Sequence, residues 1–372
     1  MNKSVLIISL LLLAFNVSNA NAFFWDNTDY SAVEKAFKSD KPIQFFEYKN
    51  NKFCNGDISH INTEKYTRKM NSSKNHSAVA YHYFAPTILN AVAAHMEGRS
   101  DAQFFHWVDD FVTVANKRIM TDNFWTGGNS PAYGQTIMLY NIAVFVNYMD
   151  VKGLWKKGQR EAVVGWGDEL YEKSHYDHHS NGNRKQSDRW SDTVSRAAAS
   201  YALWSVATKN LSQFKDSYRD FMSLQKRIKA NGAMNQFFEG HLSNKIKADS
   251  SWDLYLETKM SGDMVVASYM YELVGMPAFD VENKKGGSVK KLIKWVSDAH
   301  IGPNNKLYHK GYQDDRHIDN LRADTTTWMT LYRMMDTSDS IPLAKHHLRV
   351  SKMGYGNAKT LTYIRCLANE LN

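Results

Sequence analysis

Apolar residues recur at helical spacing along most of the chain, whereas the alternation typical of strands is sparse. Apolar positions three and four residues apart give a helix one face that can be buried. Glycines directly after such runs, including Gly98, Gly153, Gly232 and Gly275, are typical of helix ends. The pattern predicts helices at residues 76–97, 102–118, 132–150, 159–173, 190–208, 211–230, 254–274, 288–299 and 325–335.

Polar segments rich in Asn, Gly, Ser and Lys separate these helices, above all at 50–74, 175–188 and 239–251. Helices joined by loops of alternating length fit an array of antiparallel pairs. We therefore expect an all-α, single-domain (α/α) toroid, an incomplete α/α barrel with long loops on one rim. Its inner helices should be apolar on most faces and its outer helices amphipathic. A two-layer helical bundle would give the same pattern, but recurrent long loops favour the toroid.

The first residues have the pattern of an export signal. Lys3 gives a short basic start, residues 5–15 are apolar, and Ala20-Asn21-Ala22 forms a small-x-small cleavage site. The apolar run is shorter than the ~20 residues that span a bilayer. We expect residues 1–22 to be a cleaved signal peptide and residues 23–372 to be one periplasmic or secreted domain, with no stable membrane insertion.

The formal net charge of +8 changes the range of expected partners. A basic surface favours a polyanion, and acidic polysaccharide suits an exported protein better than nucleic acid does. Lipopolysaccharide and anionic membranes remain alternatives. The two cysteines, Cys54 and Cys366, could pair in an oxidising compartment. No Cys/His zinc spacing is present, and no cofactor is expected.

Residues 252–275 read WDLYLETKMSGDMVVASYMYELVG, a polar head that contains Tyr255, then an apolar run and a glycine. This segment resembles the alginate (mannuronate) lyases, in which a catalytic tyrosine heads a similar long helix. An ordinary amphipathic helix is the alternative interpretation. Further segments resemble that family in the same order, so that the likeness covers roughly residues 60–365: 62–66, 208–214, 231–232, 327–332 and 353–360.

Two departures from the family pattern indicate a divergent uronate lyase. The family places Asn-Asn-His at the head of a central helix, whereas the corresponding residues here are Ser191-Asp192-Thr193. The loop before Tyr255 is also longer, and it holds His241 and Lys247 where the family has an arginine-rich stretch.

The resemblance implies β-elimination at a 4-linked polyuronate such as alginate, mannuronan or glucuronan. This reaction needs a tyrosine that serves as base and then acid, and cations that neutralise the neighbouring carboxylate. Tyr255 is the expected proton shuttle and Arg189 the carboxylate ligand, unless Arg189 forms only a salt bridge to a neighbouring aspartate. His241 could replace the missing histidine. Asp192 could hydrogen-bond the substrate carboxylate, or it could simply cap its helix.

Four further residues are expected to contact the polysaccharide. Tyr66 corresponds to a lid loop of the family, and Lys247 lies in the longer loop. His179 and Asn183 lie in or beside the cluster His-Tyr-Asp-His-His at 175–179, which we expect to be a loop that lines the groove. Histidines can ligate transition metals, but this spacing matches no defined site, so no metal is expected.

Two other functions stay open. A toroidal glycoside hydrolase would need two carboxylates across a cleft, and the chain offers Asp188, Asp192, Asp253 and Glu257. A non-catalytic, periplasmic glycan-binding protein would need no catalytic residues at all. In each case we expect a monomer whose partner is an anionic polysaccharide.

Overall fold

The computed structural model describes residues 28–50, 58, 85–119, 131–179, 191–234 and 251–301. Within these residues the secondary structure is helical and contains no strand. The all-α prediction is therefore confirmed. In chain order the helices are α1 Ser31–Phe37, α2 Ala85–Met96, α3 Asp101–Asn116, α4 Pro131–Lys152, α5 Gln159–His179, α6 Ser191–Thr208, α7 Leu211–Gln225, α8 Ser251–Leu273 and α9 Val289–Ile301.

Apart from shifts of one to three residues at helix ends, three features differ from the sequence-based prediction. The short helix α1 was not predicted. Helix α5 continues to His179, so the interpretation of residues 175–179 as a loop is wrong. Helix α7 ends at Gln225 rather than at residue 230. The side-chain amide of Asn283 donates hydrogen bonds to the backbone carbonyls of Gln225 and Ile228, which therefore need no partner in a longer helix. The predicted helix at 325–335, Cys54 and Cys366 lie outside the described residues.

The glycine at 232 has a different role from the one predicted. It stands in the left-handed region with φ of 92°, well after α7 has ended. A Cβ atom built there would lie 2.1 Å from the carbonyl oxygen of Lys291. Gly232 therefore permits the close approach of α9, and it is not the stop signal of the preceding helix.

The helices form two layers, as the toroid prediction requires. Residues 134–149 of α4, 195–207 of α6 and 260–271 of α8 are buried on every side, so these helices are internal. Helices α3 and α7 bury only one face; the buried apolar side chains of α3 are Phe104, Trp107, Val108, Phe111, Val114 and Ala115. Inner helices pack on one another, α4 against α6 and α6 against α8, while the outer helices cover them.

The inner helices run in the same direction. Helix α5 is antiparallel to α6, because its Asp168 pairs with Trp204 and its Ser174 with Tyr201. Helix α5 is also antiparallel to α4, to which a short turn joins it. Tyr271, near the end of α8, contacts the first turns of α7, which begins where α6 ends. Helices α4, α6 and α8 therefore begin at one end of the molecule.

A segment outside the helices, residues 39–48, crosses the opposite end of the inner helices. Asn147 of α4 holds it: the side-chain oxygen accepts hydrogen bonds from Phe45 N (3.0 Å) and Tyr48 Oη (2.7 Å). The Asn147 amide donates to the carbonyl of Ile43 (2.6 Å). Tyr269 of α8 donates to the Phe45 carbonyl at 2.7 Å. This segment, which we call the N-terminal strap, covers the ends of α4 and α8.

We predict that Asn147→Ala lowers the free energy of unfolding by about 3 kcal/mol, because it leaves buried backbone groups of the strap without partners. Urea unfolding followed by circular dichroism measures this change. The control is Asn116→Ala at an exposed position of α3, which should change stability by less than about 0.5 kcal/mol. Equal effects of the two variants would contradict the role assigned to Asn147.

Candidate functional site

The candidate site lies at the end of the molecule where α4, α6 and α8 begin, opposite the N-terminal strap. Helix α5 runs the other way, so its last residue, His179, reaches this end. Asp192 is the second residue of α6, and Tyr255 is the fifth residue of α8. The structure thus brings the backbones of three predicted site residues to one end of adjoining helices. Asp192 lies inside the first turn of α6 and not at the N-cap position.

Five predicted site residues lie outside the described residues. They belong to segments that precede α2, α6 and α8 in the chain: Tyr66, Asn183, Arg189, His241 and Lys247. Arg189 comes two residues before α6, and the segment with His241 and Lys247 leads into α8. Their roles stay predictions.

A buried ion pair joins α6 to α8 below this end. Arg196 Nε donates to Asp263 Oδ1 at 2.7 Å, and Ser195 Oγ donates to Asp263 Oδ2 at 3.0 Å. The side chains of Arg196 and Asp263 are only 3% and 1% exposed. Arg196 follows Asp192 by one helical turn, and Asp263 follows Tyr255 by about two turns. The pair therefore sets how α6 and α8 are aligned next to the candidate residues.

Tyr140 of α4 extends this cluster to a third inner helix. The guanidinium carbon of Arg196 lies 5.8 Å from the centre of the Tyr140 ring, within the range of a cation–π contact. Burial raises the pKa of the Tyr140 phenol, and the nearby Arg196 only partly offsets this rise. Tyr140 thus stays neutral and acts as packing for the ion pair.

The described tyrosines with a resolved pKa shift are all shifted upward, mainly by burial. These are Tyr30, Tyr48, Tyr140, Tyr148, Tyr171, Tyr218, Tyr269 and Tyr271. Burial raises the pKa of Tyr269, for example, to about 12. A tyrosine that acts as a base near neutral pH needs the opposite shift. Within this set, no phenol has the lowered pKa that such a base needs.

His175 belongs to a helix and is used in packing between outer helices. Its ring stacks on Tyr171 with centroids 5.3 Å apart, and its Nε2 lies 3.5 Å from Asp220 Oδ2 of α7. The Tyr201 ring of α6 packs against it edge to face. Among the side chains that the structure describes, no group of three or more His, Cys, Asp or Glu residues is arranged to hold a metal ion.

Sequence reasoning missed the Arg196–Asp263 pair, although a signal for it was present. Arg196 stands in an alanine-rich run, and Asp263 in a run of Met, Val and Ala. A single charge inside a helix that is otherwise apolar all round must find a buried partner, since an isolated buried charge is very costly. Two such charges of opposite sign on neighbouring helices therefore predict an internal ion pair.

Comparison with solved structures identifies the fold. An alginate lyase from Bacteroides ovatus superposes with a TM-score of 0.56 at 10% identity, over 78% of this chain and 74% of that one. A variant of alginate lyase A1-III complexed with a tetrasaccharide gives 0.55 at 12% identity, over 96% and 94%. Alginate lyase A1-III from Sphingomonas species A1 gives 0.54 at 11% identity, over 95% of each chain.

This protein has the alginate lyase fold. No protein-family model and no curated protein sequence matches the chain. The alginate lyase fold confirms the (α/α) toroid expected from the sequence, and it does so over most of the chain. At this level of identity the likeness concerns the fold alone. No helix in the described part of the chain is long and apolar enough to cross a membrane.

We predict that Asp263→Ala lowers the free energy of unfolding by about 3–5 kcal/mol, because it leaves the Arg196 charge buried without its carboxylate. The double variant Arg196→Met/Asp263→Leu should recover most of this loss, since it removes both charges and refills the volume. Denaturant titration of the three proteins measures the difference.

The exposed pair of Lys290 and Asp280 provides the control, because its side chains are 49% and 77% exposed. Asp280→Ala should cost less than about 1 kcal/mol. If the double variant were as unstable as Asp263→Ala, the buried charge would not be the cause of the loss.

Proposed function

We propose that this protein is a polysaccharide lyase that cleaves a 4-linked polyuronate by β-elimination. The observation that carries the proposal is the common direction of α6 and α8, which start at the same end, with Asp192 in the first turn of α6 and Tyr255 in the second turn of α8. The alginate lyase fold and the basic net charge of +8 add support for an acidic polysaccharide as substrate.

In the proposed reaction Tyr255 removes the proton from C5 of the uronate. The electron pair of the C5–H bond forms a C4=C5 double bond, and the C4–O bond breaks. The leaving oxygen takes a proton, which Tyr255 can return when both groups lie on one side of the ring. The products are a new chain end and a 4,5-unsaturated uronate. The balance needs no oxidant, metal or cofactor.

Neutralisation of the substrate carboxylate is the second requirement, because negative charge moves onto it as the proton leaves C5. We assign this role to Arg189, which precedes α6 in the sequence, with His241 in place of the family's histidine. Asp192 would hydrogen-bond the carboxylate in protonated form. Tyr66, His179, Asn183 and Lys247 would hold sugars of the chain.

The biological setting is part of the proposal. Residues 1–22 would direct export and be removed, and residues 23–372 would act as one domain in the periplasm or medium. The enzyme would be a monomer without a cofactor. Its partner is an anionic polysaccharide, and nucleic acid has no place in that compartment.

We predict that Tyr255→Phe lowers turnover by at least about 100-fold, because the phenol oxygen carries the proton. The assay follows the ultraviolet absorbance of the conjugated 4,5-unsaturated product with alginate, mannuronan and glucuronan. The control is Tyr30→Phe, a half-buried tyrosine that packs on Phe214 and Tyr218 far from the site, which should keep full activity.

The same assay separates the alternatives. Release of reducing ends without ultraviolet absorbance would indicate a hydrolase, and Asp253 and Glu257 would then be the carboxylates to replace. Polysaccharide binding with no cleavage of any polymer would indicate a non-catalytic glycan-binding protein. Unchanged turnover of Tyr255→Phe would remove this residue from the mechanism.

We predict that Arg189→Ala lowers kcat more than it raises KM, because the charge it neutralises develops only in the transition state. His241→Ala should act in the same direction but more weakly. Steady-state kinetics on one polyuronate measures both. Variants that raise KM and leave kcat unchanged would show that these residues only bind the chain of sugars, and that the carboxylate is neutralised elsewhere.

A further inference from the structure

His95, next to the last residue of α2, lies where α2, α3 and α4 meet. Its ring stacks on Phe104 of α3, with the ring centroids 4.1 Å apart. Its Nδ1 lies 2.6 Å from the hydroxyl oxygen of Tyr148 on α4, and its Nε2 lies 3.4 Å from Asp101 Oδ1 at the start of α3. The imidazole is only 14% exposed. This histidine therefore joins three helices through both of its ring nitrogens.

The two neighbours of the ring assign its proton. Burial raises the pKa of the Tyr148 phenol, so the hydroxyl stays protonated and donates to Nδ1. A neutral imidazole that accepts at Nδ1 carries its hydrogen on Nε2, where the carboxylate of Asp101 can accept it. Among the described residues, His95 is the only hydrogen-bond partner of the Tyr148 hydroxyl. Tyr148 is buried, so bulk water offers it no replacement.

Tyr148 connects this histidine to the N-terminal strap. The ring of Tyr48, the last residue of the strap, packs edge to face on the Tyr148 ring with centroids 5.2 Å apart. The Tyr48 hydroxyl donates to Asn147 Oδ1, on the residue next to Tyr148 in α4. The backbone of Tyr48 has φ of 50°, in the left-handed region that residues other than glycine rarely adopt. Packing on α4 must therefore hold this end of the strap in a strained conformation.

Protonation of His95 would disrupt the contact with Tyr148. The imidazolium carries a hydrogen on both nitrogens, so Nδ1 can no longer accept. The Tyr148 oxygen would then have to accept from the ring, and its own proton would point into aromatic surroundings without an acceptor. The alternative is that the two side chains separate. Either outcome displaces the ring against which Tyr48 packs, or leaves a buried donor unsatisfied.

The groups around the ring favour its neutral form. Burial lowers the pKa of His95, Asp101 opposes this effect, and Lys152 of α4 adds to it. Asp101 is 78% exposed, so solvent screens its charge. No other charged residue belongs to α2. The charged residues that follow α2 and flank Tyr48 form pairs of their own: Arg99 with Glu97, and Lys49 with Glu47.

The lowered pKa gives the pH dependence a definite sign. Below the usual histidine value of 6.5 the unfolded chain binds a proton that the folded chain does not. The stability that the neutral ring contributes is complete above this value. It is lost as the pH falls through the lower pKa of the folded state.

We propose that His95 is a pH-sensitive element that holds the end of the N-terminal strap while its ring is neutral and releases it once the ring is protonated. Release affects the strap before the inner helices, because the strap lies outside the helices and Asn147, Tyr269 and the Tyr48–Tyr148 contact hold it to α4 and α8. This response to acid requires no catalytic activity.

Hydrogen exchange followed by mass spectrometry on the full chain tests this response. Protection of residues 43–48 is measured at about pH 7.5 and about pH 5, on either side of the usual histidine value. Each rate is divided by that of the unfolded chain at the same pH, which removes the intrinsic effect of pH on exchange. We expect the protection of the strap to fall about tenfold in acid, whereas that of residues 197–207 in α6 changes less than about twofold.

The decisive variant is His95→Asn, whose side-chain oxygen can accept from Tyr148 but cannot become charged. Its strap protection should differ by less than about twofold between the two pH values. The matched control is His106→Asn, at an exposed histidine of α3, which should keep the tenfold response. Tyr148→Phe removes a single oxygen and serves if His95→Asn does not fold. It should reduce the response to less than about threefold, since no phenol proton is left to lose its acceptor.

Three outcomes would overturn the proposal. The first is strap protection in the unaltered protein that does not change with pH. The second is an equal fall in the unaltered protein and in His95→Asn or Tyr148→Phe. The third is an equal loss of protection in residues 197–207, which would indicate general acid unfolding. Asn147→Ala, which removes the main polar anchor of the strap, marks the level of exchange of a released strap at about pH 7.5.

Discussion

The structure depends on one constraint: three helices that are buried on every side can hold a charge only if its partner is buried with it. Arg196 and Asp263 satisfy this condition between α6 and α8, with Ser195 as a further hydrogen-bond donor. Hydrophobic contacts between apolar helices tolerate small shifts along the helix axis. An ion pair with short hydrogen bonds does not, so it selects one alignment of the two helices.

That alignment links the core to the candidate site. The ion pair lies one turn below Asp192 and two turns below Tyr255, close enough to hold both helix starts in place. The N-terminal strap acts at the other end, where Asn147 and Tyr269 tie it to α4 and α8. With one end covered by the strap, the helix starts at the opposite end carry the residues with candidate chemistry.

The chain has 20 tyrosines, and burial distinguishes those that pack in the core from one that could act as a base. Those with resolved shifts in the described core have raised pKa values because their phenols are buried, and several make single hydrogen bonds that join helices. A phenol buried in this way remains protonated and serves packing. A catalytic phenol needs cations beside it, and in the proposed reaction these come from Arg189 and His241.

The helix class and most helix positions could be predicted from the sequence, because apolar spacing and end glycines are local signals. The starts of α4, α6 and α8 fell within three residues of the prediction. The sequence also led to Tyr255 through its place at the head of a long helix. The extension of α5 to His179 was missed, since His175 is held in helical structure by packing on Tyr171, Tyr201 and Asp220.

Only the tertiary structure decided which helix ends meet. Sequence spacing predicts how a helix divides into faces, but not the direction of its neighbours or the partner of a buried charge. Three contacts join residues more than 50 positions apart: the Arg196–Asp263 ion pair, the hydrogen bond of Asn147 to Ile43, and that of Asn283 to Ile228. Such contacts depend on packing in three dimensions, which local sequence patterns do not encode.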